Sequence, residues 1–253
     1  QRLYEPSLLD EDLCIKEFSI GDNFISISFS DGAEGKISID EIYNEINFID
    51  CIPQKKIWKK SDKLQVFDNN KIHQDKNSLI EMLRSFYEYG YVIIENTKAE
   101  ENEVINFAEK IGPVRTTNWG KLFNVVSKPN PNDLAYTALE LKSHSDNPYR
   151  KPVPGIQLLH CIANESTGGD SSLVDGFSVS EYLKEYHHDF YEILTQTNVN
   201  FKFTDVDVIL ENKSKLIELD SDGNFKQISF SGRLDYVPLL NDKNLEIFYK
   251  ARK

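Results

Sequence analysis

The sequence predicts an α+β fold with a β-sandwich or barrel core, and three observations carry that expectation. Segments with helical spacing come first in the main body, between residues 79 and 112, and strand-like segments dominate from residue 115 onward. Helices followed by many strands is the α+β order. The apolar content is aromatic, with fifteen Phe and twelve Tyr against one Met, as suits a β-rich interior. Asp31-Gly32 and Asp222-Gly223 each lie between strand-like runs, the positions where hairpins turn.

With 253 residues the chain can form one large domain, or a medium domain with a small appendage. The expected division is a small N-terminal β-rich unit at 1–60 and a main domain at 61–253. In the first, Phe24–Phe29 alternates apolar and polar, turns at Asp31-Gly32 and returns over 36–39. A Lys-rich stretch, 55–62, reads as the linker. In the second, Leu79, Met82, Leu83, Phe86 and Tyr87 have helical spacing, closed by Gly90. A short strand follows at 91–94. Val104, Ile105, Phe107, Ala108 and Ile111 mark another helix, stopped by Gly112-Pro113. Strands are expected at 155–162, 171–174, 199–203, 216–219 and 227–230. One helix, 180–195, interrupts them, capped by Ser178 or Ser180. Leu245, Phe248 and Tyr249 begin a last helical pattern that meets no Gly or Asn stop signal before Lys253.

The net charge of −12, with no basic stripe, argues against nucleic-acid binding as the main task. No apolar run approaches the ~20 residues of a membrane span. The opening residues, broken by Glu5, Pro6 and Asp10, show no signal-peptide pattern. Cys14, Cys51 and Cys161 are widely spaced and odd in number, which fits free thiols in a reducing cytoplasm. None of them forms a zinc pair.

Chemistry concentrates at His144-Ser145-Asp146-Asn147-Pro148-Tyr149. Two residues apart in extended chain, His144 and Asp146 project to the same side. An imidazole nitrogen and a carboxylate oxygen can there share one metal ion. The plain alternative is a turn whose Asp bonds nearby amides.

Around this stretch lie Trp119-Gly120-Lys121-Leu122-Phe123, Ala135-Tyr136-Thr137, Gly155-Ile156-Gln157-Leu158-Leu159-His160-Cys161, Thr167-Gly168-Gly169-Asp170-Ser171 and Val174-Asp175-Gly176-Phe177. Together they resemble the γ-butyrobetaine dioxygenase family, within the Fe(II)/2-oxoglutarate oxygenases of the taurine-dioxygenase (TauD/TfdA) type. The resemblance runs from about residue 64 to 253 and is densest between 117 and 177. Trimethyllysine, aminoethylphosphonate and trimethylaminoethylphosphonate dioxygenases share the pattern, and the wording looks most like the bacterial members.

The resemblance implies a double-stranded β-helix (jelly-roll) core and the cofactors Fe(II) and 2-oxoglutarate. His144 and Asp146 would be iron ligands. Thr167 would hydrogen-bond the cosubstrate's side-chain carboxylate, and Leu159 would line the same pocket. Trp119, Phe123 and Tyr136 match the aromatic cage for a quaternary ammonium, which has no N–H to donate and is drawn to ring faces. Phe123 and Asn147 stand where some members carry Trp and Tyr. Asp133 stands where the butyrobetaine enzyme has a carboxylate-contacting Asn, so a carboxylate would be repelled or an ammonium favoured. These three also count as substrate-binding candidates. His160, beside Leu159, reads as a core histidine with a backbone partner. His187 and His188 look solvated.

The family's distal His and 2-oxoglutarate-binding Arg match nothing up to Lys253, so the expected fold is incomplete at the C-terminus. The cysteines of the N-terminal zinc site found in several relatives are also absent, so no zinc is expected. The expected activity is hydroxylation of a small cationic substrate, trimethylammonium or amino, γ-butyrobetaine-like. Aminoethylphosphonate or trimethylaminoethylphosphonate oxidation is one alternative, and an inactive fragment or ligand-binding relative lacking the distal His is another. The expected partners are a small-molecule substrate and O2, with neither nucleic acid nor membrane. A homodimer is compatible with the sequence but not specified by it.

Overall fold

The computed structural model describes residues 5–46, 53–131, 133–165 and 167–253. The chain divides into two compact units, Gln1–Lys55 and Lys56–Lys253.

The first unit is an antiparallel meander of β1 (Ile15–Ile20), β2 (Phe24–Phe29) and β3 (Glu34–Ser38), followed by helix α1 (Ile39–Ile46). Asp31-Gly32 makes the second turn, with Gly32 at φ 88°, a conformation that glycine adopts without a Cβ penalty. Helix α1 starts where the returning strand was expected to end. Cys14 is an unbridged thiol, and Cys51 lies outside the described residues.

The second unit opens with β4 (Val66–Asp68), α2 (Asn69–Gln74), α3 (Lys76–Tyr89), β5 (Ile93–Glu95) and α4 (Glu103–Ile111). β4 and β5 pair in parallel around the helical crossover. Asp75 caps α3 by accepting from Asn77 and Ser78 N–H, and Gly90 ends it at φ 77°. Both are helix-end chemistry that satisfies otherwise orphaned backbone groups. Ile72, Met82 and Phe107 form a small core here.

A second core holds the rest together. After a 3-10 turn at Leu134–Tyr136 come α5 (Gly176–Tyr186), α6 (His188–Gln196), β6 (Asn198–Asp205), β7 (Val208–Lys215), β8 (Ile217–Leu219), β9 (Phe225–Ile228) and α7 (Asp242–Ala251). Alternation along β6 sends Val199 and Phe201 fully inward. They join Tyr149, Leu194, Leu216, Ile217 and Phe248. β7 lines one edge of β6. The segment 234–236 lines the other, through Lys202 N–H to Leu234 O at 2.9 Å and Tyr236 N–H to Asn200 O at 2.8 Å.

Several elements differ from expectation. The single helix over 180–195 is two helices, broken at His187 (φ −142°), and its cap is Asp175 rather than Ser178 or Ser180. The apolar runs 155–162 and 171–174 are not strands. A strand needs a neighbour to bond, and none lies beside them among the described residues. Leu159 and Leu173 are accordingly 68% and 60% exposed. Helix α7 closes at Ala251, with Arg252 N–H bonded to Phe248 O. Among the described residues the strands form four small sheets and no closed barrel. No helix there is long and apolar enough to cross a membrane.

Candidate metal and substrate site

The loop 144–150 is pinned from several sides. Ser145 N–H donates to Phe230 O at 2.7 Å, and Ser145 Oγ accepts from Phe230 N–H at 2.7 Å. Asn212 of β7 donates through Nδ2 to Pro148 O at 2.9 Å. The Tyr149 ring is buried and stacks on Phe203 of β6 at 5.1 Å. Arg150 N–H closes a turn onto Asn147 O at 3.0 Å, with Pro148 at the second turn position, where its fixed φ suits. The loop is therefore held by distant segments, Phe230, Asn212 and Phe203, as well as by its own turn.

Within it, His144 and Asp146 converge as their spacing predicts. His144 Nε2 lies 3.0 Å from Asp146 Oδ1. His144 Nδ1 lies 2.7 Å from Lys142 O. A carbonyl only accepts, so Nδ1 carries a proton, and Nε2 faces the carboxylate. A proton or a metal cation between Nε2 and the carboxylate satisfies both. A backbone carbonyl that accepts from the other ring nitrogen is a usual second partner of a metal-ligating imidazole. The donor set thus fits a divalent metal. Among the described residues no group of three or more His, Cys, Asp or Glu side chains converges for a metal.

Among the described residues, a ring contact joins two of the three aromatic candidates. Trp119 and Phe123 are in contact at 5.6 Å, and Trp119 also meets Phe203 edge-on at 5.3 Å. These rings continue the column that holds Tyr149. The Arg150 guanidinium, whose Nη2 donates to Asn118 Oδ1, lies 5.5 Å from the Trp119 ring. Tyr136 shows no ring contact with Trp119 or Phe123 among the described residues; its face takes Lys128 Nζ at 3.9 Å. Protein cations thus already face two of the three expected cage rings.

Asp133 is not a free carboxylate. Its Oδ1 accepts from Ala135 N–H at 2.8 Å, capping the 3-10 turn, and from Arg233 Nη1 at 3.1 Å. The guanidinium offsets the charge that was expected to sort carboxylate from ammonium. Asn147 is likewise engaged, since its Oδ1 accepts from the Tyr149 hydroxyl at 2.6 Å. Burial pushes that hydroxyl's pKa up to about 12; Arg150 opposes the shift, and the nearby carboxylates of Asp133 and Asp146 add to it. Tyr149, Arg150 and Arg233 had no role in the sequence reading. A pointer to Tyr149 and Arg150 was their place three and four residues after Asp146.

Leu159 and Thr167 are both exposed, and no hydrogen bond joins Thr167 to His144 or Asp146 among the described residues. Thr167 precedes Gly168 and Gly169, both at positive φ. His160 is partly buried with no partner at Nδ1, against the expected backbone bond.

Residues 54–251 match the family described as taurine catabolism dioxygenase TauD, TfdA. A γ-butyrobetaine dioxygenase from Pseudomonas sp. (strain AK-1) is 35% identical over 199 residues, 79% of this chain and 52% of that protein. The Homo sapiens γ-butyrobetaine dioxygenase is 31% identical over 205 residues, 79% of this chain and 53% of that protein. A trimethyllysine dioxygenase from Meyerozyma guilliermondii is 30% identical over 172 residues, 66% of this chain and 43% of that protein. The chain spans about half the length of the curated relatives it matches.

Proposed function

The chain belongs to the TauD/TfdA dioxygenase family, and from that premise we propose that it is the iron-ligating part of a 2-oxoglutarate-dependent hydroxylase of a small cationic substrate, γ-butyrobetaine-like in its trimethylammonium or amino head. The observation that carries this reading is the 3.0 Å approach of His144 Nε2 to Asp146 Oδ1, with Nδ1 already committed to Lys142 O. One imidazole and one carboxylate are two of the three protein donors of the facial arrangement found in non-haem Fe(II) oxygenases.

Fe(II) and 2-oxoglutarate, when bound, supply the activation of O2 for C–H hydroxylation. The protein's part is to hold and orient. His144 and Asp146 would hold the metal, and Lys142 O fixes the imidazole tautomer. Thr167 would donate its hydroxyl to a cosubstrate carboxylate, with two glycines letting backbone approach, and Leu159 would cover it. Trp119, Phe123 and Tyr136 would receive the substrate's cationic head. That Arg150 and Lys128 already face two of these rings supports their attraction for cations. Asp133 would border the head group, with its charge shared between that group and Arg233. In this reading the core is the family's double-stranded β-helix.

The test is 2-oxoglutarate turnover by the protein in its full reading frame, offered trimethylammonium and aminophosphonate compounds. Iron-dependent succinate release coupled to hydroxylation of a trimethylammonium compound is expected. Coupling to an aminophosphonate alone would move the substrate class. Absence of iron-dependent succinate with every compound would leave the ligand-binding alternative.

A further inference from the structure

Asn147 is the residue next to Asp146, and its backbone is unusual. Its φ is +54°, the left-handed region that non-glycine residues seldom enter. Asn tolerates it better than most. The residue is also followed by Pro148, which restricts its backbone further. Such strain persists only where the surroundings impose it.

Here the surroundings are identifiable. The Tyr149 hydroxyl donates to Asn147 Oδ1 at 2.6 Å, and Arg150 N–H donates to Asn147 O at 3.0 Å. Tyr149 is itself immobile, 2% exposed and stacked on Phe203. A rigid ring on the core sheet therefore grips the side chain of the residue that follows the carboxylate. On the other side of Asp146, Ser145 is bonded to Phe230. The backbone of Asp146 is fixed from both directions.

We propose that Tyr149 and Asn147 form a latch that positions the Asp146 carboxylate toward His144 Nε2 for metal binding. This rests on the reading of His144 and Asp146 as metal ligands. It gives Asn147 a positioning role through its side-chain oxygen, in place of a substrate contact. Tyr149 is a positioning residue too, acting through Asn147.

The latch is tested with Mn(II) as the probe, on wild type, Tyr149→Phe, Asn147→Gly and the double variant. Tyr149→Phe removes only the hydroxyl and keeps the ring on Phe203. Asn147→Gly keeps a residue at ease with positive φ and removes only the side chain. Each single change is expected to raise the Mn(II) dissociation constant about tenfold, the lower range for a residue supporting a ligand. The double variant is expected to match the singles, because both break the same bond. Unchanged Mn(II) constants, whatever the melting temperatures do, would overturn the latch. So would a roughly hundredfold loss in the double variant, which would mean two independent effects. His144→Ala separates the two levels of the argument. If it binds Mn(II) as wild type does, the metal site itself is wrong and the latch falls with it.

Discussion

Ser145 and Phe230 lie 85 residues apart and bond each other through both backbone and side chain. Ser145 is the residue between His144 and Asp146, so this clasp ties the candidate ligands to the segment after β9. Ser145→Ala keeps the backbone bond and deletes the hydroxyl, leaving Phe230 N–H without its acceptor. A stability loss of about 1–2 kcal/mol is expected, read from the midpoint of urea unfolding at constant slope. Because the ligands lose one anchor, Mn(II) binding should also weaken. A variant equal to wild type in both measurements would show that the clasp contributes nothing to the site.

His144→Ala and Asp146→Ala should each abolish iron-dependent 2-oxoglutarate decarboxylation in the full reading frame. Each removes one donor, and the remaining donors hold Fe(II) poorly. Both variants should keep their fold, because the two side chains are partly exposed and outside the apolar cores. Wild-type iron content and turnover in either variant would mean that the ligand assignment is wrong.

How much of this was legible depended on the range of the forces involved. Helix α3 was readable because Leu79, Met82, Leu83 and Phe86 carry its period and Gly90 its stop, all local signals. The break at His187 was not, because no Gly or Pro marks it and the pattern continues across it. β7 was missed for the opposite reason. Its residues are largely polar, and it exists through eight paired positions with β6. The runs 155–162 and 171–174 have the right composition for strands and lack neighbours, so pattern alone misled. The spacing of His144 and Asp146 sufficed to foresee that their side chains meet. The clasp from Phe230, the brace from Asn212 and the Tyr149 grip on Asn147 did not show, because contacts across the fold leave no periodic trace. The Arg233 partner that offsets Asp133 is of the same kind.

Arg252 should matter for stability. Its Nη2 lies 2.6 Å from Asp235 Oδ2, at ion-pair distance but without hydrogen-bond alignment. Its guanidinium also lies against Phe230, Phe248 and Tyr249. Asp235 is nearly inaccessible, and burial raises its pKa above the usual carboxylate value, with Arg252 opposing. Arg252→Ala leaves that carboxylate buried and unpaired, a change that costs about 3 kcal/mol in comparable settings. The pH dependence has a definite sign. A raised carboxylate favours the folded state when protonated and loses that advantage as pH rises through its folded value. Without Arg252 the shift grows. The deficit of Arg252→Ala relative to wild type should therefore be largest at neutral pH and shrink toward the ordinary carboxylate pKa of 3.8. Urea unfolding of both proteins across that interval measures it. A deficit independent of pH would assign the loss to ring packing alone.

The aromatic cage is best tested at Tyr136. Trp119 belongs to the column that reaches Phe203 and Tyr149, so shortening it would disturb the core and the site together. Tyr136 has no ring contact with that column among the described residues, and its face takes Lys128, an exposed side chain that a ligand can displace. Tyr136→Leu keeps apolar volume and removes the ring quadrupole. Binding of a trimethylammonium compound should weaken by about 1–2 kcal/mol, the range for a desolvated cation–π contact, or roughly five- to thirty-fold. Binding of 2-oxoglutarate should change much less. Lys128→Gln should act in the opposite direction, because it removes the cation that competes for the same face. Titration of wild type and both variants with cosubstrate and with a trimethylammonium compound separates the possibilities. If Tyr136→Leu weakens both ligands equally and lowers the melting temperature, Tyr136 is a packing residue, and the cationic head is held elsewhere.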